Sequence, residues 1–387
     1  MISIFNKVDV LAGNKQQSSC AKCIQTLLSK TLVCVFMSTF VFSAWAKPII
    51  FDNDMAIDDW AALLFLLQHP HSDVVAITIS ASGESHCAPG LINANALLDL
   101  SKYSLPSVDV ACGDDEPLDG YAVFPDAWRT DSDTLSGVKL PKSKREALSI
   151  HAVEVIHKAI GEATEPVVIV ATGTLTNIAQ WIEKYPEDIK QVSRLIIMGG
   201  NVEAPGNIIV PNFTDGHPNV SAEWNIFIDP LAADIVFAAG LPIELVGLDV
   251  TNTVRVTSAF ARDFKQKVNT PGAKFWDEVL DNNDWFIDSG EYYFWDTLAA
   301  LIAVEPSLCE GYMGSYRVEH KTTNKPWLPT SDVNMVKQRW DGKARQHLDA
   351  ELAGKLVEST DYPAIKVCTK TAPDKVFSLF TETLNKQ

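Results

Sequence analysis

The chain predicts an α/β fold with a mostly parallel central sheet and helices on both faces. Three observations carry this. Short apolar runs without polar alternation, at residues 48–51 (PIIF), 73–80 (DVVAITIS), 166–171 (PVVIVA) and 194–198 (RLIIM), read as strands buried on both sides. Stretches whose apolar residues recur at helical spacing lie between them, the alternation expected of parallel strands joined by crossover helices. Polar loops follow the carboxyl ends of the strands, where ligands collect in such sheets. Asp54, Ser85, Thr172 and Met198 all fall there.

The first strand runs into FDNDMAIDD and then into a helix on which Trp60, Leu63, Leu64 and Leu67 recur at helical spacing. After the second strand come the loop ASGESHC, a helix over 88–103 and a third strand, SVDVAC, ending near Cys112. Residues 113–146 are rich in Asp, Pro, Gly and Ser and too long for an ordinary connector, which marks a functional or disordered segment. Trp128 within it reads either as a packing anchor or as a ligand contact. A helix over 147–163, the strand ending at Ala171, a helix opened by TGTLTN and the strand closed by Gly199 and Gly200 follow. In the polar loop GNIIVPNFTDGHPNVSAEWNIFIDP, Glu223 and Asn225 stand two apart and face the same way if the chain is extended. They offer an acceptor and an amide to sugar hydroxyls. A helix over 230–239, the strand IELVGL, helices across 257–303, a tail of strands and a last helix from Pro373 complete the order. Asp296, in YYFWDTLAAL, taken alone reads as an N-cap.

Length and charge bound the function. The 387 residues, 47% hydrophobic, suffice for one large α/β domain or two small ones. A net charge of −17 repels nucleic-acid backbones, which excludes polymeric DNA or RNA as a partner and leaves small neutral ligands open. Residues 1–46 differ in kind: four lysines against one aspartate, then the apolar run TLVCVFMSTFVFSAWA closing on an A-x-A pattern. This reads as a secretory signal with a long basic region, so residues 47–387 form the exported domain, periplasmic or secreted, without stable membrane association once the signal is cleaved. Cys20, Cys23 and Cys34 fall in the signal. Cys87, Cys112, Cys309 and Cys368 remain, and an oxidising compartment permits disulfides whose pairing spacing alone does not fix. A homo-oligomer is compatible with these features.

The chemistry concentrates in Asp52, Asp54, Asp58 and Asp59. Asp52 and Asp54 leave the strand, while Asp58 and Asp59 occupy the first helical turn, where free N–H groups and the helix dipole favour carboxylates. One acid would serve as a cap; four so close repel one another, a cost that a hard divalent cation removes, calcium being the natural candidate. An EF-hand is excluded by the missing glycine and glutamate of its loop. An Asp-nucleophile phosphatase of the haloacid dehalogenase type would use Asp52 as nucleophile and Asp54 as acid/base, but Met55 and Ala56 replace the residues it expects.

The D-x-D-x-x-x-D-D spacing, together with TGTLTN, MGG, TDG, AEWNIFIDP, LDVTNTV and YYFWD in that order, resembles the inosine-uridine nucleoside hydrolase family, most closely its purine-specific branch. The resemblance spans essentially the whole exported domain and implies a Rossmann-like core, calcium dependence and hydrolysis of the N-glycosidic bond of small nucleosides. It also implies roles for residues. Asp54, Asp59, the Thr172 carbonyl and Asp296 would bind calcium, and Asp54 would act as general base on a water. Asp58, Asn207, Glu223 and Asn225 would contact ribose hydroxyls, Met198 would lie beneath the sugar, and Asp52 would support the metal ligands from behind. Trp128 and Trp295 would flank the base. The pyrimidine-accepting branch has histidine at the latter position. Glu84 falls near the residue expected to touch the base. Two departures stand out: Met55 and Ala56 in place of a small Pro-Gly or Gly-Asn pair, which predicts a more crowded metal loop, and the insert HPNV after Gly216. The same residues also admit a family member with another ribosyl substrate or a non-catalytic calcium and ribose binding protein.

Overall fold

The computed structural model describes residues 46–386 other than 102, 104–107, 120–123, 147, 212 and 324–347. The signal expected over 1–46, with Cys20 and Cys23, lies outside the described residues except for Ala46.

Among the described residues, nine strands form one sheet in the order β3-β2-β1-β4-β5-β6-β9-β7-β8. They are β1 (Lys47–Asn53), β2 (Ser72–Ile79), β3 (Asp109–Cys112), β4 (Val167–Ala171), β5 (Val192–Met198), β6 (Ile243–Val246), β7 (Glu310–Val318), β8 (Leu356–Glu358) and β9 (Ala364–Lys370). The pairs from β3 through β6 to β9 are parallel, and β7 pairs antiparallel with β9 and β8. The expected mostly parallel sheet is present. Successive residues of each central strand feed opposite faces: Ile49, Phe51, Val168 and Val170 enter one core, Ile50, Val167, Ile169 and Ala171 the other. Both faces being covered is why these strands read as unbroken apolar runs.

The helices are α1 (Ile57–Gln68), α2 (Cys87–Leu98), α3 (Asp126–Asp133), α4 (Ala152–Glu162), α5 (Thr176–Lys184), α6 (Trp224–Ile228), α7 (Pro230–Ala238), α8 (Leu248–Thr251), α9 (Ser258–Lys265), α10 (Pro271–Asn282), α11 (Asp284–Ser289), α12 (Trp295–Val304) and α13 (Pro373–Asn385). Four expectations are corrected. The helix expected over 88–103 stops at Leu98. The one expected over 147–163 starts at Ala152, because the His151 ring accepts from the Val153 N–H as its cap and the Leu148 N–H is taken by the Val110 carbonyl. The helical region 257–303 is four helices, and α12 begins only at Trp295, leaving Tyr292–Phe294 outside it. The long segment 113–146 carries the helix α3. Among the described residues no helix is long and apolar enough to cross a membrane. Cys87 pairs with Cys112 and Cys309 with Cys368, which supplies the pairing the sequence left open.

The order 3-2-1-4 places β1 and β4 side by side while the chain leaves them in opposite directions, β1 toward β2 and β4 toward β5. A crevice opens at such a switch point. Asp52 is paired in register with Thr78 of β2 and Ala171 of β4, so Asp54, two residues further along β1's chain, and Thr172, the residue after Ala171, leave neighbouring strands at the same end of the sheet. α12 packs along α1 and brings its first turn to the same place.

Candidate active site

β1 stops because Met55 adopts a left-handed conformation (φ 59°), two residues after its end. A non-glycine residue there costs about 1–2 kcal/mol. Hydrogen bonds hold it: the Met55 N–H donates to Asn53 Oδ1 (3.0 Å) and Trp60 Nε1 donates to the Met55 carbonyl (2.8 Å). The Met55 side chain is fully buried in the core shared with α1. The crowding expected from Met55 is therefore met by core packing and a strained backbone.

Behind the loop, Asp52 is fully buried and its Oδ1 accepts from Thr78 Oγ1 (2.5 Å) and Asn177 Nδ2 (2.8 Å). Burial pushes its carboxyl up to about 7. This supporting position gives the phosphatase alternative no exposed nucleophile. Asp54 is held between two glycine turns, where a Cβ on Gly83 would lie 2.3 Å from Asp54 Oδ2 and one on Gly173 would lie 2.8 Å from Asp54 Cβ. Asp54 Oδ2 accepts from the Glu84 N–H (2.9 Å). Asp59 Oδ2 accepts from the N–H groups of Ala56 (2.9 Å) and Asp54 (3.2 Å), capping α1, while its Oδ1 accepts from Thr172 Oγ1 (2.6 Å). Asp58 Oδ2 accepts from the Asp296 N–H (3.3 Å), and Thr297 Oγ1 donates to the Asp58 carbonyl (3.3 Å), which docks the start of α12 on α1. Asp296 is in the first turn of α12 and caps nothing; its buried Oδ1 has no protein partner.

The structure thus brings together Asp54, Asp59, Asp296 and Thr172 from four separate elements. Burial raises every carboxylate of the group. It lifts Asp58 to about 6, while Asp59 and Asp296 rise well above the ordinary range because neighbouring aspartates add their charge to the burial. Asp54 is raised by burial as well. Hard oxygen donors, mutual repulsion and an orphaned carboxylate oxygen fit a divalent cation such as calcium.

The expected ribose contacts surround this cluster, but not as extended chain. Glu223 caps α6: its Oε1 accepts from the Asn225 N–H (2.9 Å) and its Oε2 from Gly200 N–H (2.9 Å) and Ile226 N–H (3.2 Å). Burial lifts it to about 7. Asn225 Nδ2 donates to the carbonyls of Thr172 (2.9 Å) and Met198 (3.3 Å), which uses both amide hydrogens and leaves Oδ1 as the group to meet a hydroxyl. Asn207 Oδ1 accepts from the Trp224 N–H (3.1 Å). In the HPNV insert, Asn219 Oδ1 accepts from the Ala222 N–H (2.9 Å) and its Nδ2 donates to the Ala353 carbonyl (2.8 Å), fixing the chain just before Glu223.

Trp128 and Trp295 fall in two aromatic groups. Trp128, on α3, packs against Phe213 (5.4 Å between centroids) and Trp224 (5.4 Å), the residue between Glu223 and Asn225 in the chain. Trp295 opens α12 among Tyr293 (5.6 Å), Tyr292 (6.0 Å) and Phe286 (6.2 Å). α3 is fastened to the loop after β2, since Ser132 Oγ donates to Glu84 Oε1 (2.7 Å) and Arg129 Nη2 donates to the carbonyls of Ala81 (3.1 Å) and Ser85 (3.2 Å). Burial, then the Asp54 charge, raises Glu84 well above the carboxylate range. Sequence reasoning missed Thr78, Asn177, Gly83, Gly173, Ser132 and Arg129. Asn177 closes the TGTLTN motif and Gly83 precedes Glu84, so position along the chain was their one signal.

Fold and site together define an α/β enzyme whose centre is a buried carboxylate cluster at a sheet switch point. The family model described as inosine-uridine preferring nucleoside hydrolase matches residues 49–378. The chain belongs to that family and is a hydrolase acting on N-glycosidic bonds of nucleosides. It is 36% identical over 236 residues to a pyrimidine-specific ribonucleoside hydrolase of Photobacterium profundum, covering 61% of this chain and 71% of that protein. To the pyrimidine-specific ribonucleoside hydrolase of Salmonella typhi it is 34% identical over 301 residues, 78% of this chain and 85% of that one. Among solved structures, a plant nucleoside hydrolase matches with a TM-score of 0.67 at 26% identity, over 88% of this chain and 100% of the other. A purine-preferring ribonucleoside hydrolase from Gardnerella vaginalis matches with a TM-score of 0.66 at 23% identity, over 88% and 98%.

Proposed function

We propose that this protein is an exported, calcium-dependent hydrolase that splits purine ribonucleosides into free base and ribose. The observation that carries the chemistry is the convergence of Asp54, Asp59, Asp296 and the Thr172 carbonyl at the β1/β4 switch point. When bound there, calcium supplies a Lewis acid that eases deprotonation of water and anchors vicinal hydroxyls. Asp54 takes the water proton, the water oxygen bonds to the anomeric carbon, and the C–N bond breaks with its electron pair leaving on the base, which gains a proton from solvent. Glu223, Asn225, Asp58 and Asn207 hold the ribose hydroxyls, and their fixed acceptors stabilise the positive charge that grows on the sugar. Met198 supports the sugar from beneath and Asp52 supports the metal ligands. Two disulfides support the reading of residues 1–46 as an export signal.

Trp128 beside the ribose contacts, and Trp295 directly before Asp296, support the purine reading, with Glu84 near the base. The sequence relatives named pyrimidine-specific favour a second reading in which pyrimidine nucleosides are cleaved. Following free-base release by residues 47–387 from inosine, adenosine, guanosine, uridine and cytidine, with calcium and with chelator, separates them. Chelator-sensitive purine cleavage is expected; cleavage of uridine and cytidine alone would overturn the purine reading and keep the family. Stacking is worth about 0.5–1.5 kcal/mol, so Trp128→Ala should lower purine kcat/KM by about two- to tenfold and leave calcium affinity unchanged. Equal losses in both would remove Trp128 from the base site.

A further inference from the structure

Behind the catalytic loop runs a chain of buried hydroxyls that the reaction itself does not use. Thr176 Oγ1 donates to Asp229 Oδ2 (2.6 Å). Ser82 Oγ lies 2.9 Å from Thr176 Oγ1 and 2.6 Å from Thr174 Oγ1, and Ser80 Oγ donates to the Thr174 carbonyl (2.8 Å). All five side chains are at most 1% exposed. Asp229 also accepts from the Leu118 N–H (2.8 Å) and, at its other oxygen, from the Ala232 N–H (3.1 Å), where it caps α7.

The direction of the chain follows from donor counting. An ionised carboxylate only accepts, so Thr176 must spend its single hydrogen on Asp229. Its oxygen is then left to accept from Ser82, Ser82 to accept from Thr174, and Thr174 to accept from Ser80, whose Oγ lies 2.5 Å from Thr174 Oγ1 and 2.8 Å from the Thr174 carbonyl. One acceptor at the end orders every hydroxyl along the line, and buried chains of this kind are strong only when each member is satisfied. The line joins two loops from different strands, Ser82 after β2 and Thr174 after β4. Ser82 immediately precedes Gly83 and Thr174 immediately follows Gly173, the two residues whose missing Cβ atoms make room for Asp54.

We propose that Asp229 and Thr176 are positioning residues for Asp54, acting through the hydroxyl chain that laces its two glycine turns together. The proposal rests on the assignment of Asp54 as metal ligand and base. Loosening the lace lets the turns part and Asp54 drift, and misplacement of a reacting group by about 1 Å costs up to 10²-fold in rate. Glu223 and Asn225 keep their own bonds to the Gly200 and Ile226 N–H groups and to the Met198 carbonyl, so the larger effect falls on kcat and the smaller on KM.

The test uses the full exported domain. Thr176→Val keeps shape and removes the hydroxyl without touching the α7 cap, while Thr176→Ser keeps the hydroxyl. Steady-state kinetics on the best nucleoside, calcium affinity by calorimetry and thermal melting are measured for both, for Ser82→Ala and for Asp54→Asn, alone and combined with Thr176→Val. The expected result is about a tenfold fall in kcat with KM within about twofold for Thr176→Val, a severalfold weaker calcium affinity, recovery in Thr176→Ser, and no further loss when Thr176→Val is added to Asp54→Asn. Should Thr176→Val fail to fold, Ser82→Ala breaks the same chain and carries the same expectation. Unchanged kcat and calcium affinity in folded Thr176→Val or Ser82→Ala would overturn the positioning role, as would an additive loss with Asp54→Asn. Unchanged turnover and calcium affinity in Asp54→Asn would instead overturn the assignment of Asp54, and the proposal with it.

Discussion

Asp54→Asn is expected to lower kcat by at least about 10³-fold while making the metal-free protein more resistant to heat. The rate loss combines removal of a general base, worth about 10²–10⁴-fold, with loss of one charged ligand. The gain in stability follows from the same carboxylate. Asp54 is buried beside Asp58 and Asp59, its charge raises both Asp59 and Asp296, and its replacement by a neutral isostere relieves that repulsion. The Glu84 N–H that Asp54 Oδ2 accepts keeps an acceptor if the amide oxygen turns toward it. Paired melting curves and turnover measurements check both halves. A variant with turnover within tenfold of the parent, or one less stable than the parent without calcium, would show that Asp54 is not the charged centre of the site.

This opposition between stability and activity explains which parts of the molecule could be read from the chain. The strands and α1 were legible because burial on both sheet faces leaves an unmistakable apolar run, and because Trp60, Leu63, Leu64 and Leu67 mark one helical face. Asp58 and Asp59 were placed in the first helical turn, where they are. What the chain did not disclose were side chains that capture backbone. Glu223 and Asn225 seemed two neighbours on an extended strand, yet Glu223 folds back to cap α6 and Asn225 spends its amide on two carbonyls far away in sequence. Asp59 serves as helix cap and partner of Thr172 at once. Spacing rules describe faces of regular elements, and these residues act where regular structure ends. The helix α3 was hidden for a related reason: DAWRTDSD has too few apolar residues to show a period, and it is held by Arg129, Ser132 and Asp133 to the loop after β2.

The metal-free protein is expected to lose stability as pH rises from 5 to 8, and calcium to restore part of that loss at the higher pH. Asp52 and Glu223 are lifted to about 7 and Asp58 to about 6 by burial, from ordinary values of 3.8, 4.5 and 3.8. Between those limits the folded state holds more protons than the unfolded chain, so stability falls as pH rises from about 4 to about 7 and then levels off. At about 1.4 kcal/mol per pKa unit, ionising Asp52 alone costs on the order of 4 kcal/mol, a large part of a margin of about 5–15 kcal/mol. The cation acts in the opposite sense, because its ligands must be deprotonated to bind it and its binding is therefore strongest where the empty site is least stable. Saturating calcium at about 100 times its Kd adds about 2.7 kcal/mol, so melting at pH 8 should rise by several degrees with calcium and far less at pH 5. Melting curves at the two pH values, with calcium and with chelator, decide it. A metal-free protein that gains stability from pH 5 to pH 8, or a calcium shift larger at pH 5, would mean that the buried aspartates are already neutralised by groups of the protein itself, and the case for a cation at the β1/β4 crevice would fall with it.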